Sequence, residues 1–155
     1  MLFRSRQKRR KPVPRLQLAV TDRGRPRMPL PFLRSVVRAA LQHGDRLDMP
    51  VSLLLTDDAE IARVHAEFLD DPTPTDVISF FVDGATELVV SVATAARRAR
   101  ELGHPLRAEV ALYVVHGILH QCGYDDVRKR DRRRMRAAER AVLATLSLDA
   151  AAFDA

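Results

Sequence analysis

The chain has 155 residues, of which 46% are hydrophobic and 30% are charged, so it is long enough for one domain with a hydrophobic core. A membrane-spanning helix is excluded because no run of about 18 apolar residues is present. The charged start, MLFRSRQKRRKPVP, lacks the apolar segment of a secretory signal. Cys122 is the only cysteine, so no internal disulfide can form, and we expect a cytoplasmic protein with a half-buried thiol.

Positive charge is concentrated in two segments. Residues 4–15 contain seven Lys or Arg and no acid, and residues 128–136 contain seven with one acid. The two segments together carry +13, which leaves the rest of the chain about 7 negative because the total is +6. This pattern is typical of binding to a polyanion such as RNA, although a solvated arm and a solvated helix face are the alternative. The candidate RNA-binding residues are Lys8, Arg9, Arg10, Arg128, Lys129, Arg130, Arg132 and Arg133.

The first half of the chain alternates predicted strands and helices after a basic flexible arm at residues 1–14. Polar–apolar alternation predicts strands, and apolar residues at helical spacing predict helices. Thr56 or Asp57 is placed to cap the second helix. DDPTPTD is a loop because its two prolines cannot continue either structure. The predicted elements are a strand at 15–20, a helix at 31–44, a strand within 49–58 and a helix that ends at Phe68.

The second half begins with two β-rich runs, VISFFV and ELVVSVA, which DGAT joins as a turn. A short helix follows and ends at Gly103. Pro105 suits the first turn of the next helix, which is apolar on nearly all sides and is therefore predicted to be buried. The last helix, 126–148, is basic outside and directs five residues to the core, Val127, Met135, Ala138, Val142 and Leu146. We predict one α+β domain over residues 15–150, with about four strands in a mixed sheet covered by about five helices.

The stretch HGILHQCGYDD, residues 116–126, places two histidines on the predicted buried helix. His116 and His120 lie one turn apart on one face and can direct two imidazoles at one ion. Gly123 can adopt positive φ, which lets the chain turn back towards the histidines. The alternative for a bare HxxxH pair is that each ring forms a hydrogen bond in the core.

This stretch, together with PTDVISF at 74–80, resembles the YbeY family of rRNA-maturation endoribonucleases. The family signature reads His-Gly-x-Leu-His-x-x-Gly-Tyr-Asp-His, and the match runs in order over roughly residues 15–146. The resemblance implies a zincin-like fold, one zinc held by three histidines, and single-strand cleavage in the 3′-end maturation of 16S rRNA on the small ribosomal subunit. Further agreement comes from ELVVS at 87–91 and from Asp131, Met135 and Glu139.

Asp126 stands where the family has its third metal histidine. The resemblance therefore implies that His116, His120 and Asp126 hold one Zn²⁺, or another divalent metal, because catalytic zinc sites also use two histidines and a carboxylate. Asp125 is expected to cap the last helix or to orient a ligand. If Asp126 is not the third ligand, the next candidates are Asp125, His65 and His104.

Leu69 stands where the family usually has an arginine, six residues before Thr75. An arginine can clamp the scissile phosphate and a leucine cannot. The basic residues that could replace it are Arg97 and Arg128, but the sequence places neither of them at the site.

The expected nucleophile is a metal-bound water. Its candidate proton acceptors or supporting groups are Asp76, Glu87 and Glu109, each of which has an ordinary structural explanation as well. Gly117 occupies the position of the catalytic Glu in H-E-x-x-H proteases, so proteolysis is disfavoured. Two other functions stay open, namely a non-catalytic ribosome assembly factor, favoured by Leu69, and an iron enzyme with a His₂-carboxylate site.

Overall fold

The computed structural model describes residue 12, residues 14–69 and residues 75–148. The predicted arm residues 1–11, including Lys8, Arg9 and Arg10, lie outside these ranges. Within them the chain forms four strands and five helices, in the predicted order. None of these helices combines the length and the apolar character needed to cross a bilayer.

The observed elements agree with the predicted ones to within a few residues. The strands are β1 (Leu18–Asp22), β2 (Val51–Thr56), β3 (Val77–Val82) and β4 (Ala85–Ser91). The helices are α1 (Leu30–His43), α2 (Asp58–Leu69), α3 (Val92–Leu102), α4 (Leu106–Gln121) and α5 (Lys129–Thr145).

The four strands form one sheet in the order β1-β2-β4-β3. β1, β2 and β4 are mutually parallel, and β3 pairs antiparallel with β4. Asp83 and Gly84 join β3 to β4 with φ of 51° and 78°, which is the conformation of a tight hairpin turn. The sheet is therefore mixed, and the fold is α+β as predicted.

The two faces of the sheet bury different clusters because side chains alternate along each strand. Leu53 and Leu55 of β2 and Leu88 of β4 belong to the main core with α1, α4 and α5. On the other face, Val89 packs with Ile61 of α2 in a smaller cluster. Helix α2 therefore covers one face, and the histidine-bearing helix α4 covers the other.

Helix α4 lies at the centre of the main core, with α1, α3 and α5 packed around it. Gly117 sits so close to the sheet that an added Cβ would lie 2.6 Å from Leu88 Cδ2 and 3.3 Å from Val77 Cγ2. The glycine between the two histidines therefore lets this part of α4 approach β3 and β4.

Three local predictions were wrong. Val127 is 75% exposed and not in the core, because α5 begins at Lys129 rather than at residue 126. The strand predicted through residue 93 ends at Ser91, whose hydroxyl accepts a hydrogen bond from Thr94 N and caps α3. Pro105 is the N-cap of α4 rather than part of its first turn.

Candidate active site

His116 and His120 lie on the C-terminal half of α4, with ring centroids 6.1 Å apart. His116 Nδ1 lies 2.7 Å from Glu139 Oε1 of α5, and His120 Nδ1 lies 2.8 Å from the Tyr124 carbonyl oxygen. A carbonyl and a carboxylate only accept, so Nδ1 is the donor in both rings. Nε2 is then the nitrogen that each ring can offer to a ligand.

The turn after α4 supplies the partner of His120. Gly123 has φ of 102°, as the sequence predicted, and Tyr124 N donates to the Leu119 carbonyl at 3.0 Å. This left-handed turn reverses the chain and brings the Tyr124 carbonyl over His120. Cys122, half-buried as expected, packs against Gly44, which follows the last residue of α1.

The two adjacent aspartates point in different directions. Asp125 Oδ1 accepts from Asp126 N at 2.7 Å and from Val127 N at 3.2 Å. Its carboxylate therefore stabilises the loop before α5 and does not cap the N-terminus of that helix. Asp126 Oδ2 lies 3.5 Å from His116 Nε2. Of the two carboxylates, Asp126 is therefore the one that faces the nitrogen left open on His116.

The electrostatics of this site favour a positive charge. The hydrogen bond with Glu139 raises the pKa of His116, burial opposes that shift, and the negative charges of Glu139, Asp126 and Asp76 add to it. The pKa of Asp125 is lowered by its two backbone hydrogen bonds. Three carboxylates thus favour the protonated form of the His116 imidazole.

His116, His120 and Asp126 are side chains of the types that bind metal ions, but their positions do not form a complete metal site. Among the described residues, no three His, Cys, Asp or Glu side chains stand as a formed metal-binding group. The donor set of two imidazoles and one carboxylate nevertheless suits Zn²⁺, and each ring already has the Nδ1 partner that metal-binding histidines require.

The three predicted supporting carboxylates lie in different places. Asp76 lines the cavity beside His116, where its Oδ1 accepts from Val77 N at 2.7 Å. Glu109 is 2% exposed and its carboxylate pairs with His104 Nε2 rather than with the histidines of α4. Glu87 lies opposite Phe80, on the sheet face that α2 covers.

His65, the remaining alternative ligand, is on α2 and thus on the side of the sheet away from α4. His104 is 5% exposed in its side chain and is engaged by Glu109. Neither is brought to the His116–His120 pair, which leaves Asp126 as the nearest third donor among the candidates.

Glu139 is the site residue that sequence reasoning did not assign. It is 4% exposed and lies 23 residues from His116 along the chain. One sequence feature could have indicated this role: Glu139 directly follows Ala138, which was predicted to face the core. A buried carboxylate needs a partner, and here the partner is the histidine.

A cavity of about 170 Å³ opens beside His116 and shares lining residues with a larger groove of about 850 Å³. Half of the residues that line the groove are cations of α3 and α5. Of the predicted RNA-binding residues in the segment 128–136, Lys129, Arg132 and Arg133 line the groove, whereas Arg128 and Arg130 line neither cavity.

The histidine pair, with its Nδ1 atoms held by Glu139 and by the Tyr124 carbonyl, and the adjoining basic groove are together typical of a hydrolase that acts on a polyanion. The family model described as Endoribonuclease YbeY matches residues 30–147 of the chain. The chain belongs to the YbeY family.

Relatives across several bacteria agree with this assignment. The Endoribonuclease YbeY of Desulforamulus reducens is 34% identical over 134 residues, which cover 77% of this chain and 88% of that protein. The Endoribonuclease YbeY of Heliobacterium modesticaldum is 37% identical over 114 residues, covering 62% and 69% of the two chains. The solution structure of TM1509 from Thermotoga maritima has the same fold, with a TM-score of 0.61 over 84% of this chain and 92% of that one at 22% identity.

Proposed function

We propose that this protein is a metal-dependent endoribonuclease that cleaves single-stranded RNA during rRNA processing in the cytoplasm, including the 3′-end maturation of 16S rRNA on the small ribosomal subunit. One observation carries the proposal. His116 and His120 have their Nδ1 atoms committed to Glu139 and to the Tyr124 carbonyl, which leaves two Nε2 atoms one helical turn apart for a shared ligand. The family names supply the reaction class.

The residues that would hold a single Zn²⁺ are His116, His120 and Asp126. The chemistry that such an ion supplies is Lewis-acid activation of water and neutralisation of charge on a phosphoryl group. Glu139 fixes the ring of His116 and keeps the proton on Nδ1. The Tyr124 carbonyl does the same for His120.

Asp76 is the supporting carboxylate best placed to accept a proton, because it lines the cavity with His116 and Asp126. One of its oxygens is held by Val77 N, which orients the carboxylate. Glu109 pairs with His104, and Glu87 lies on the sheet face that α2 covers. We therefore assign structural roles to both.

A second candidate function is a ribosome assembly factor that binds rRNA without cutting it. It is favoured by Leu69, which is 51% exposed and offers no charge to a phosphate at the position of the family arginine. On this alternative the histidine pair and its neighbours would have a structural role only.

Single-turnover cleavage of a single-stranded rRNA fragment separates the two candidates. Wild-type protein loaded with Zn²⁺ should cleave the fragment, and His116→Ala should reduce the rate by at least about a hundredfold. His65→Ala, which removes a histidine of α2 on the sheet face opposite α4, is the matched control and should cleave as wild type does. Equal and negligible rates in wild type and His116→Ala would favour the assembly factor.

A further inference from the structure

The larger groove is basic because of residues on two helices that are far apart in sequence. Helix α3 contributes one cation and α5 contributes five, and all six are exposed. Two acids, Asp76 and Glu109, also line it. The cations are Arg98, Lys129, Arg132, Arg133, Arg136 and Arg140.

The α5 cations form a continuous row along the groove. Lys129, Arg132, Arg136 and Arg140 follow one another at spacings of three or four residues, so they share one helix face. From Lys129 to Arg140 the row extends about 16 Å at 1.5 Å per residue. A row of this length matches several consecutive charges of a polymer rather than one small anion.

Carboxylates of the groove neutralise little of this charge. Glu109 is almost fully buried and is engaged by His104 and by the Tyr113 hydroxyl. Asp76 lies at the end next to the histidines. Arg98 pairs with Glu101 at 3.2 Å, so the positive charge along the remaining length of the groove comes mainly from the α5 cations. A phosphate backbone is its complement.

Arg132 and Arg136 connect the groove to the candidate active site. They line both the groove and the smaller cavity that contains His116 and Asp126, and among the described residues they are the only Lys or Arg lining that cavity. Arg97, by contrast, donates to Asp58 at 2.7 Å, and Arg128 lines neither cavity. Neither residue considered as a replacement for the family arginine is thus available at the site.

We propose that a single RNA strand lies along this groove, and that Arg132 and Arg136 hold the phosphate next to the histidine pair. This inference rests on the proposed ribonuclease function, which identifies that phosphate as the one at the cleaved bond. It assigns to α5 the phosphate contact that Leu69 cannot make. Paired guanidinium groups suit this task because each can form two hydrogen bonds with phosphate oxygens.

Recognition in the groove is expected to depend on the backbone and not on base identity. Tyr113 is the aromatic residue of the lining, but it is 6% exposed and its hydroxyl is hydrogen-bonded to Glu109. It therefore offers no open face for base stacking. Contacts from arginine to phosphate position a strand without reading its sequence.

The test compares two double variants that remove the same charge at the same spacing. Arg132→Gln/Arg136→Gln removes the proposed contacts, and Arg34→Gln/Arg38→Gln removes two exposed arginines four apart on α1. Binding of a 2′-O-methyl single-stranded RNA, which cannot be cleaved, is measured by fluorescence anisotropy over a range of salt concentrations. Circular dichroism checks that both variants are folded.

The α5 variant should bind roughly tenfold more weakly or worse. Its slope of log K against log salt should be shallower by about 0.7, since the two arginines share one phosphate and each phosphate bound on a single strand accounts for about 0.7. The α1 variant should match wild type. Because Arg132 also donates to the Val127 carbonyl at 3.1 Å, Arg136→Gln alone is included and should show about half of the change in slope. Equal binding by the two double variants would overturn the proposal, as would tighter binding of single-stranded DNA than of RNA.

Cleavage of the unmodified RNA separates this inference from the proposed function. If wild type does not cleave but the α5 variant still binds more weakly, the groove assignment stands and the ribonuclease function fails. If wild type cleaves and Arg136→Gln retains wild-type KM and kcat, the phosphate contact is wrong while the ribonuclease function stands.

Discussion

At the scale of single residues, the site is defined by what holds each imidazole. His116 is fixed by a buried carboxylate and His120 by a backbone carbonyl, so both rings present the same nitrogen. Local spacing in the sequence indicated the two histidines and the Gly123 turn, and the family resemblance indicated Asp126. Glu139 entered only as a residue that fits the family's last helix. Its bond with His116 was not indicated, because contact between α4 and α5 brings together residues that are distant along the chain.

The identity of the third ligand leads to a first prediction. Asp126→Ala should lose metal, Asp126→His should retain it by forming a three-histidine site, and Asp125→Asn should keep one equivalent because Asp125 is committed to the loop backbone. Metal content after dialysis against a weak chelator is the measurement. A full equivalent in Asp126→Ala, together with loss in His116→Ala, would require a third ligand from elsewhere.

The carboxylate behind His116 leads to a second prediction. Glu139→Gln should weaken zinc affinity by about 10- to 100-fold, because a neutral amide supports the ring less well than a carboxylate. Competition with a chromogenic chelator measures this affinity. Glu87→Gln, on the opposite sheet face, is the control and should bind zinc as wild type does. Unchanged affinity in Glu139→Gln would mean that Glu139 only packs α5 against α4.

At the scale of secondary-structure elements, caps and polar contacts determine where the helices begin. Asp57 was one of two predicted caps for α2, and its Oδ1 accepts from Glu60 N at 2.9 Å. The cap of α3 was missed because Ser91 lies within the β-rich run ELVVSVA, and the sequence gives no sign that the last residues of this run enter a helix. The start of α5 was placed too early because its first predicted residues belong to the loop that carries Asp126.

Asp58 connects α2 to α3 and makes stability depend on pH. It accepts from Ser91 at 2.6 Å, Thr94 at 2.7 Å and Arg97 at 2.7 Å. Burial raises the pKa of Asp58, but these hydrogen bonds outweigh it and lower the pKa to about 2. The ionised form is therefore more stable in the folded chain than in the unfolded one.

A third prediction follows from this depressed pKa. The contribution of Asp58 is present above its unfolded pKa of 3.8 and is lost as pH falls towards 2. Asp58→Asn should lower Tm by a few degrees at pH 6, or about 1 kcal/mol. The difference in Tm from wild type should shrink between about pH 4 and pH 2. Thermal melts at these pH values measure it, and a constant difference would show that ionisation of Asp58 is not involved.

At the scale of the whole molecule, the sequence predicted the α+β class and the buried helix α4. It did not predict the strand order β1-β2-β4-β3, because pairing of strands distant in sequence is set by the packing of helices on both faces. It also did not predict the groove. A charge run indicates a basic segment, but only the position of α5 against α3 decides which of its arginines line a common surface.

The uneven charge distribution leads to a fourth prediction. If the basic arm binds RNA phosphates in addition to the groove, deleting residues 1–12 should flatten the slope of log K against log salt by about 0.7 for each phosphate that the arm binds on a single strand. Binding titrations at several salt concentrations give the slope. An unchanged slope would show that the arm binds no phosphates and that the domain alone binds the RNA.

The measurement that tests the central claim most directly is a zinc titration of the single-turnover cleavage rate, with protein first stripped by a chelator and single-stranded rRNA as substrate. The rate for wild type should rise from near zero and reach a plateau at one equivalent of zinc, while His116→Ala should show no rise over the same range. A cleavage rate in wild type that does not respond to zinc or to any other divalent metal, or an equal response in His116→Ala, would contradict the assignment of His116, His120 and Asp126 as a catalytic metal site.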